Sequence, residues 1–335
     1  MRILIAGESG NHCLETSYEA AFKQLGHEAT IFDTRQAVLK HARLGKFGRE
    51  LHRFFPVEAW LRKANKDLVN FAVAYRPDVI FAFTNAEILP GTFAYLKVRL
   101  NIKVVWYWAD PLPSLNRFIH HALPLTDLLC TYSRDTIDVF RQMGAKKAIW
   151  VPFAGDMAAH YAAAEPGTPQ TTDLSFVGTW RPEREKALSV LHRELPNLKI
   201  EIHGPYWKRV TDKALKKFIS AAPLYGKAFT AKVQGSLVNL NVIDDTNYPA
   251  VNMRFFEIPA AGGLQLCTYS PETANVFKNR EHVLYYATEQ ELVEQVQFAL
   301  SNRDHLEAIR TRAQHLVLNE HLYVSRAKTV LEHLS

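Results

Sequence analysis

Cysteine is scarce in this chain, and long apolar runs are missing. Cys13, Cys130 and Cys267 are far apart, odd in number and without a CxxC pair. That excludes a disulfide framework or a zinc ribbon and describes buried thiols of a reducing compartment. No uninterrupted apolar stretch approaches the ~20 residues that a spanning helix needs. The opening MRILIAGESG is too short in its apolar run, and too strand-like, for a signal peptide. Gly/Ser-rich, proline-rich and single-letter runs are absent, as are internal repeats at solenoid spacing. A cytoplasmic protein is therefore expected. No acidic DxD triplet follows a strand. Asp244-Asp245 is a bare pair before Thr246 and reads as turn chemistry, so no metal and no resident cofactor are expected.

What is present describes a globular enzyme-sized chain. Hydrophobic residues make up 47% and charged residues 22% of 335 positions, which suits two domains of about 150 residues each. The formal charge of +6 is unevenly spread. Between Arg35 and Lys66 stand Arg35, Lys40, Arg43, Lys46, Arg49, Arg53, Arg62, Lys63 and Lys66, against only Glu50 and Glu58. Leu44, Phe47, Leu51, Phe54, Phe55 and Trp60 are interleaved among them. Such a segment either rests on an anionic membrane surface, as a peripheral protein on its inner face would, or is a solvated helix face with its aromatics turned inward. No nucleic-acid-binding motif accompanies it, so nucleic acid is not an expected partner.

The first half alternates apolar strands with helical patterns. Strands are expected at 2–7, 28–33, 77–85, 103–110, 127–133 and 148–154. After AAHYAAAEPGTPQTT, the best linker candidate in the chain, the alternation restarts with strands at 173–178, 199–204, 236–242, 263–269 and 282–286. Helices are expected at 16–25, 181–195 and 288–302. Alternation of this kind implies α/β architecture with parallel sheets covered on both faces. Two Rossmann-like domains are the expected fold, 1–157 and 172–320, followed by a terminal helical stretch, 321–335. Ligands in such sheets sit beyond the carboxyl ends of the strands, here in the cleft between two facing halves.

Three strand ends of the second half carry candidate chemistry. NMRFFEIPAAGG (252–263) reads as a buried helix, yet it opens on Asn252, sets Arg254 and Glu257 one turn apart and stops on Gly262-Gly263. With Asn252 as cap, the free N–H groups of its first turn would suit a phosphate. Arg254 would add a fork of donors to a diphosphate, and Glu257 would accept two sugar hydroxyls. The plainer alternative is an Arg254–Glu257 ion pair within the helix. In SFVGTWRPERE (175–185), Gly178, Thr179, Arg181 and Arg184 form a second phosphate cradle. IHGPYW (202–207) ends a strand on Gly204, with Tyr206 and Trp207 available to stack on a nucleobase or to fill the core.

The pattern FVGTWRPERE, then NMRFFEIPAAGGLQLC, HVLYYATEQELVEQVQFALSN and NEHLYVSRAKTVLEHL resembles the CgeB-like (spore-maturation) glycosyltransferase family over roughly residues 173–335. In the first half the similarity is architectural only. The resemblance implies a GT-B fold of two Rossmann-like domains and transfer of a sugar from a nucleotide-diphosphate sugar, without a catalytic metal, to an acceptor hydroxyl such as a cell-envelope glycan or lipid. It implies that Glu257 holds the donor ribose, that Arg254 and Gly262-Gly263 lie near the diphosphate, and that Arg181 and Arg184 are the basic positions after the first donor-domain strand. It also implies that the closing helix crosses back to the first domain. Many retaining GT-B enzymes carry a second glutamate eight positions before the first, and here Pro249 stands there.

The first half should then hold the acceptor. Gly7, Ser9, Gly10 and His12 of GESGNHC (7–13) follow the first strand, and Asp110 ends WYWADP, pinned by Pro111. A general base must take the proton of the acceptor hydroxyl. Asp110 and then His12 are the candidates, although Asp110 could instead cap a helix near Leu112–His121. Two other enzyme readings remain open at this stage. Asp33, closing the second strand, stands where a dinucleotide oxidoreductase keeps its ribose-binding acid, but GESGNHC lacks the GxGxxG spacing. A nucleotide-sugar epimerase would use two such halves. A third reading is a binding or scaffold protein on a degenerate enzyme fold.

Overall fold

The computed structural model describes residues 1–10, 13–42, 57–115, 118–156, 169–220 and 222–334. They divide into two compact units, Met1–Pro152 with Val324–Ser335, and Phe153–Tyr323.

The first unit is built on β1 (Arg2–Gly7), β2 (Glu28–Asp33), β3 (Val79–Phe83), β4 (Lys103–Trp108), β5 (Leu128–Thr131) and β6 (Ala148–Trp150). All pairings are parallel, in the order β2-β1-β3-β4-β5-β6. Val79–Phe83 is buried at every position, the signature of a strand covered on both faces. Its side chains still alternate by the two-residue period. Ile80 and Ala82 join Leu4, Trp106 and Phe93 in one core layer. Phe81 and Phe83 turn to the other face, where their rings lie 5.0 and 5.7 Å from that of Tyr18 on the Leu14–Gln24 helix.

The chain's last helix, Tyr323–Leu334, ends against two lysines of this unit. Lys103 donates to the Leu334 carbonyl at 2.9 Å and Lys147 to that of His333 at 2.7 Å. Carbonyls left over at a helix C-terminus carry partial negative charge, and a cation there satisfies both their hydrogen bonding and their field.

The second unit is built on β7 (Thr172–Val177), β8 (Ile200–His203), β9 (Ile219–Ser220), β10 (Ser236–Asn241), β11 (Gln265–Thr268) and β12 (Leu284–Tyr286). It is parallel throughout, in the order β12-β11-β10-β7-β8-β9. Counted from its own first strand, that is 6-5-4-1-2-3, the doubly wound order of dinucleotide-binding sheets. The two-residue β9 is the strand that apolar periodicity missed, because two residues carry no period. Each sheet has a point where the winding reverses, between β1 and β3 in the first unit and between β7 and β10 in the second. Both leave a crevice at the strands' carboxyl ends.

Residues 43–56 of the basic 35–66 segment, and most of the linker candidate, lie outside the described residues. Where 35–66 is described, its cations largely have partners: Arg35 pairs with Glu8 at 3.1 Å, Arg62 with Glu58 at 2.7 Å, and Lys40 stands 4.0 Å from Asp67. The Glu58–Tyr75 helix buries Leu61, Ala64 and Leu68. Among the described residues, no helix is long and apolar enough to cross a membrane.

Candidate functional site

In the second unit, the crevice between β7 and β10 is shaped by two turns in contact. Gly178, just past β7, donates its N–H to the His203 carbonyl at 2.9 Å, and Trp180 donates to that of Pro205 at 3.0 Å. Gly204 has φ +137°, and a Cβ on it would stand 2.1 Å from the Gly178 oxygen. Only glycine fits there. Trp207 is buried, donates Nε1 to the Gly178 carbonyl at 3.0 Å and meets Phe176 edge-on at 5.7 Å. It belongs to the core and cannot stack on a nucleobase. Tyr206 is 57% exposed and can.

Three guanidinium groups converge on this crevice. Arg184, in the first turn of the Pro182–Glu194 helix, donates Nη1 to the Thr179 carbonyl at 2.8 Å and Nη2 to Asp244 at 2.9 Å. Burial makes its charge harder to keep. Asp244 counters that, while Arg181 and Arg254 add to the penalty from nearby. Asp244 feels the reverse. Burial would raise its pKa, but hydrogen bonds from Thr246 and Asn247 and the charges of Arg184 and Arg181 hold it below the ordinary carboxylate range. Arg254 donates Nε to the Val177 carbonyl at 3.1 Å and lies over the Phe229 ring at 4.7 Å. Its Nη1 pairs with Glu257. Arg181 is exposed and forms no ion pair with a described residue. The result is a positive cup with two arginines locked in place and one free to swing, suited to an anion with several acceptor oxygens.

The 252–263 helix answers partly to its expected role and partly not. It runs Arg254–Ala260, and Met253 is its cap residue. The Phe255 N–H goes to the Asn252 side chain at 3.1 Å, and those of Phe256 and Glu257 go to the Met253 carbonyl at 3.1 and 3.2 Å. Three of the first-turn donors expected to be free there are thus already used, the first of them by the Asn252 side chain, which also exchanges hydrogen bonds with Asn241. The Arg254–Glu257 pair is formed, and Glu257 is 1% exposed. The glycine pair closes a Schellman turn: Gly262, at φ +80°, donates to the Pro259 carbonyl at 2.9 Å and Gly263 to that of Ile258 at 3.0 Å. Gly262 therefore sits at the opposite end of the helix from Arg254, against Gln314 and Gln234.

Two residues that organise this site were not singled out for it from the sequence. Asp244, read only as turn chemistry, does bind Thr246 and Asn247, at 2.5 and 2.9 Å, and it also fixes Arg184. Glu185 is the other. Its carboxylate accepts Trp180 Nε1 at 2.6 Å, the Thr211 N–H and hydroxyl at 2.8 and 2.6 Å, and the Asp212 N–H at 2.8 Å. It ties the turn after β7 to the segment after β8. The D-x-T-N run was a visible signal for the first; an acid in a first helical turn gave no hint of the second.

The corresponding turn in the first unit has a different character. A Cβ on Gly7 would lie 2.3 Å from Glu15 Oε1, so glycine makes room for that buried carboxylate. Glu15 accepts the Glu8 N–H at 2.8 Å, and burial raises its pKa. Ser9 gives its N–H and hydroxyl to Asp33 at 2.9 and 2.5 Å, and Asp33 also caps the Thr34–His41 helix through Gln36 at 2.7 Å. The Gly10 carbonyl accepts from Thr16 at 2.8 Å. With its carboxylate engaged in this way, Asp33 is a poor ribose clamp, and the dinucleotide reading loses its acid. Asp110 follows β4, whose end is fixed by the Ala109 N–H bonding Thr84 at 2.9 Å. It is partly buried, bonds no described residue, and burial raises its pKa. It caps no helix: the two short helical segments that follow have Pro111 and Phe118 at their caps. His12 lies outside the described residues. Among these residues no group of three His, Cys, Asp or Glu side chains could hold a metal ion.

Residues 181–332 match a family model described as glycosyl transferase-like. No protein of curated function has a significantly similar sequence. In structure the chain is similar to sucrose-phosphate synthase from Thermosynechococcus elongatus, at TM-score 0.70 and 12% identity over 99% of this chain and 97% of that one. It is similar to Anabaena HepE in complex with UDP-glucose, at TM-score 0.65 and 14% identity over 100% and 99%. It is also similar to α,α-trehalose 6-phosphate synthase from Burkholderia multivorans, at 0.64 and 12% over 100% and 98%.

Proposed function

The chain has the GT-B fold of glycosyltransferases, and we propose that it is itself one, moving a sugar from a nucleotide-diphosphate sugar to an acceptor hydroxyl. The observation that carries this reading is the convergence of Arg181, Arg184 and Arg254 where the winding of the second sheet reverses. Breaking the bond between sugar and diphosphate leaves a growing negative charge on the phosphate oxygens. Guanidinium groups already fixed by Thr179, Asp244, Val177 and Glu257 stabilise that charge without reorganising. The glycosyl transferase-like match begins at Arg181, and HepE, a structural relative, is known in complex with UDP and UDP-glucose. Both support a nucleotide-sugar donor.

In this reading Glu257 and Tyr206 contact the nucleoside, and Arg181 closes on the diphosphate from the crevice edge. Asp110 of the first unit accepts the proton of the attacking hydroxyl. A carboxyl whose pKa burial has raised, and which no neighbour occupies, is suited to that task. The four segments beginning FVGTWRPERE support the CgeB-like branch, with a cell-envelope glycan or lipid as acceptor. Neither the oxidoreductase nor the epimerase reading is favoured.

Thermal unfolding against a panel of nucleoside diphosphates, with nicotinamide dinucleotides as controls, tests the proposal. A ligand at a hundred times its dissociation constant adds about 2.7 kcal/mol, or roughly 2–4 °C per kcal/mol in a chain of this size. A rise with one diphosphate that Arg181→Ala removes is the expected result. Arg181 is exposed and unpaired, so its loss leaves the fold intact. A rise with the dinucleotide alone would sink the proposal.

A further inference from the structure

The most one-sided surface in the described residues is not the 35–66 segment but the stretch after β8. Lys208, Arg209, Lys213, Lys216 and Lys217 fall within ten residues. All five are exposed, and none forms an ion pair with a described residue. The one acid among them, Asp212, is spent on capping: its carboxylate accepts from Ser189 and from the Ala214 N–H. Three of the five cations, Lys208, Arg209 and Lys216, line a concavity of about 790 Å³, floored by Trp207 and rimmed by Tyr206. Arg209 is steadied by aromatic faces, 5.3 Å from the Tyr206 ring and 6.0 Å from that of Trp180. The chain that follows this lining is held by Glu185, which fixes Thr211 and Asp212.

This pocket opens at the β8–β9 edge of the sheet, with Ile219 in its lining. Arg184 and Arg254 instead sit at the ends of β7 and β10, on the other side of the Gly178–Gly204 contact. We propose that the β8–β9 pocket is a second anion site, separate from the donor diphosphate, that takes a phosphate ester with an apolar or polyol body. The cations would neutralise the phosphate, and Ile219 and Val210 would cover the body. Both a free phosphate ester and a phospholipid headgroup present this chemistry. The proposal does not depend on the donor being a nucleotide sugar.

The experiment uses the full chain and two double variants, both confined to exposed lysines. Lys208→Glu with Lys216→Glu reverses the pocket; Lys199→Glu with Lys217→Glu makes the same charge change outside it. Titration with sn-glycerol 3-phosphate probes the free ester, and sedimentation with phosphatidylglycerol against phosphatidylcholine vesicles probes the headgroup. Wild type should bind in at least one arm. Each cation near a phosphate surface is worth about 1 kcal/mol, so the pocket variant should bind at least about tenfold more weakly, and the outer variant should change little. Saturation by glycerol phosphate assigns a free ester; binding to anionic vesicles alone assigns a headgroup. Absence of binding in both arms overturns the site. So does equal loss in the two variants, which would mean diffuse charge, or displacement of the probe by UDP, which would make the pocket part of the donor site.

Discussion

The turns that follow β1 and β7 occupy the same place in two sheets wound by the same rule, and they carry opposite charge. The first is crowded by Glu8, Glu15 and Asp33, with Arg35 as counter-charge among the described residues. The second is crowded by Arg181, Arg184 and Arg254, with Asp244 and Glu257 as counter-charges. Glycine serves both for a steric reason: Gly7 makes room for the Glu15 carboxylate, and Gly204, at the end of β8, makes room for the Gly178 carbonyl of the β7 turn. The backbone therefore supplies only the crevice; side chains decide what enters it. The acids of the first turn are spent on its own N–H groups, on Ser9 and on Arg35, whereas an arginine-rich turn favours a polyphosphate.

The sharpest test of that contrast is at the unpaired carboxyl of the first unit. Asp110→Asn should lower turnover about 10²–10⁴-fold, as loss of a general base does. Burial raises the Asp110 pKa, so the wild-type kcat/KM should fall as pH drops through a value above the ordinary 3.8, and the variant should lose that limb. A rate profile of unchanged shape would remove Asp110 from the mechanism.

In the second turn, Asp244→Ala leaves Arg184 buried beside Arg181 and Arg254 without its carboxylate. Breaking a buried pair this way costs about 3–5 kcal/mol, to be read from denaturant midpoints. The matching cut in the first turn is Asp33→Ala, which removes a helix cap and both Ser9 bonds. That should cost about 1–2 kcal/mol and leave nucleoside diphosphate binding unchanged. If the two substitutions weakened UDP binding equally, the division of labour between the turns would be wrong.

Smaller effects come from the flanks. Burial would raise the Glu201 pKa, but hydrogen bonds from Lys232 and Thr172, the Lys232 charge and His203 bring it down to about 2. Its contribution is therefore complete above the unfolded value of 4.5 and is lost as pH falls from there towards about 2. Unfolding midpoints at pH 6, 4 and 3 should fall more steeply for wild type than for Glu201→Gln. Smallest of all, Lys103→Ala and Lys147→Ala should each cost about 0.3–1 kcal/mol by uncovering the last carbonyls of the Tyr323–Leu334 helix. Hydrogen exchange confined to that helix would show the loss.

Much of this could be read along the chain. Short β-rich apolar runs, some of them bounded by glycine, located eleven of the twelve strands among the described residues, because burial on both faces leaves a run that needs no partner to be recognised. Gly178, Arg181 and Arg184 could be picked out since a strand-to-helix turn places its next few residues at the sheet's edge whatever else folds around it. The 252–263 helix was harder. Its apolar face was evident, but the cap belongs to Met253, Asn252 is shared with Asn241, and three of its first-turn donors are used internally. Trp207 could equally have been surface or core until Gly178 supplied its acceptor.

Local order in the chain, then, settled the alternation of strands and helices, the parallel sheets and the residues at strand ends, because those follow from periodicity and from glycine's freedom over a few positions. Pairings between residues far apart had to wait for the fold. Arg184 meets Asp244 across sixty positions, and Arg254 reaches the Val177 carbonyl across seventy-seven. Glu185 gathers Thr211 and Asp212 from beyond the next strand. A charge's partner depends on which strands lie side by side, and that order comes from packing the whole sheet, not from any stretch of it.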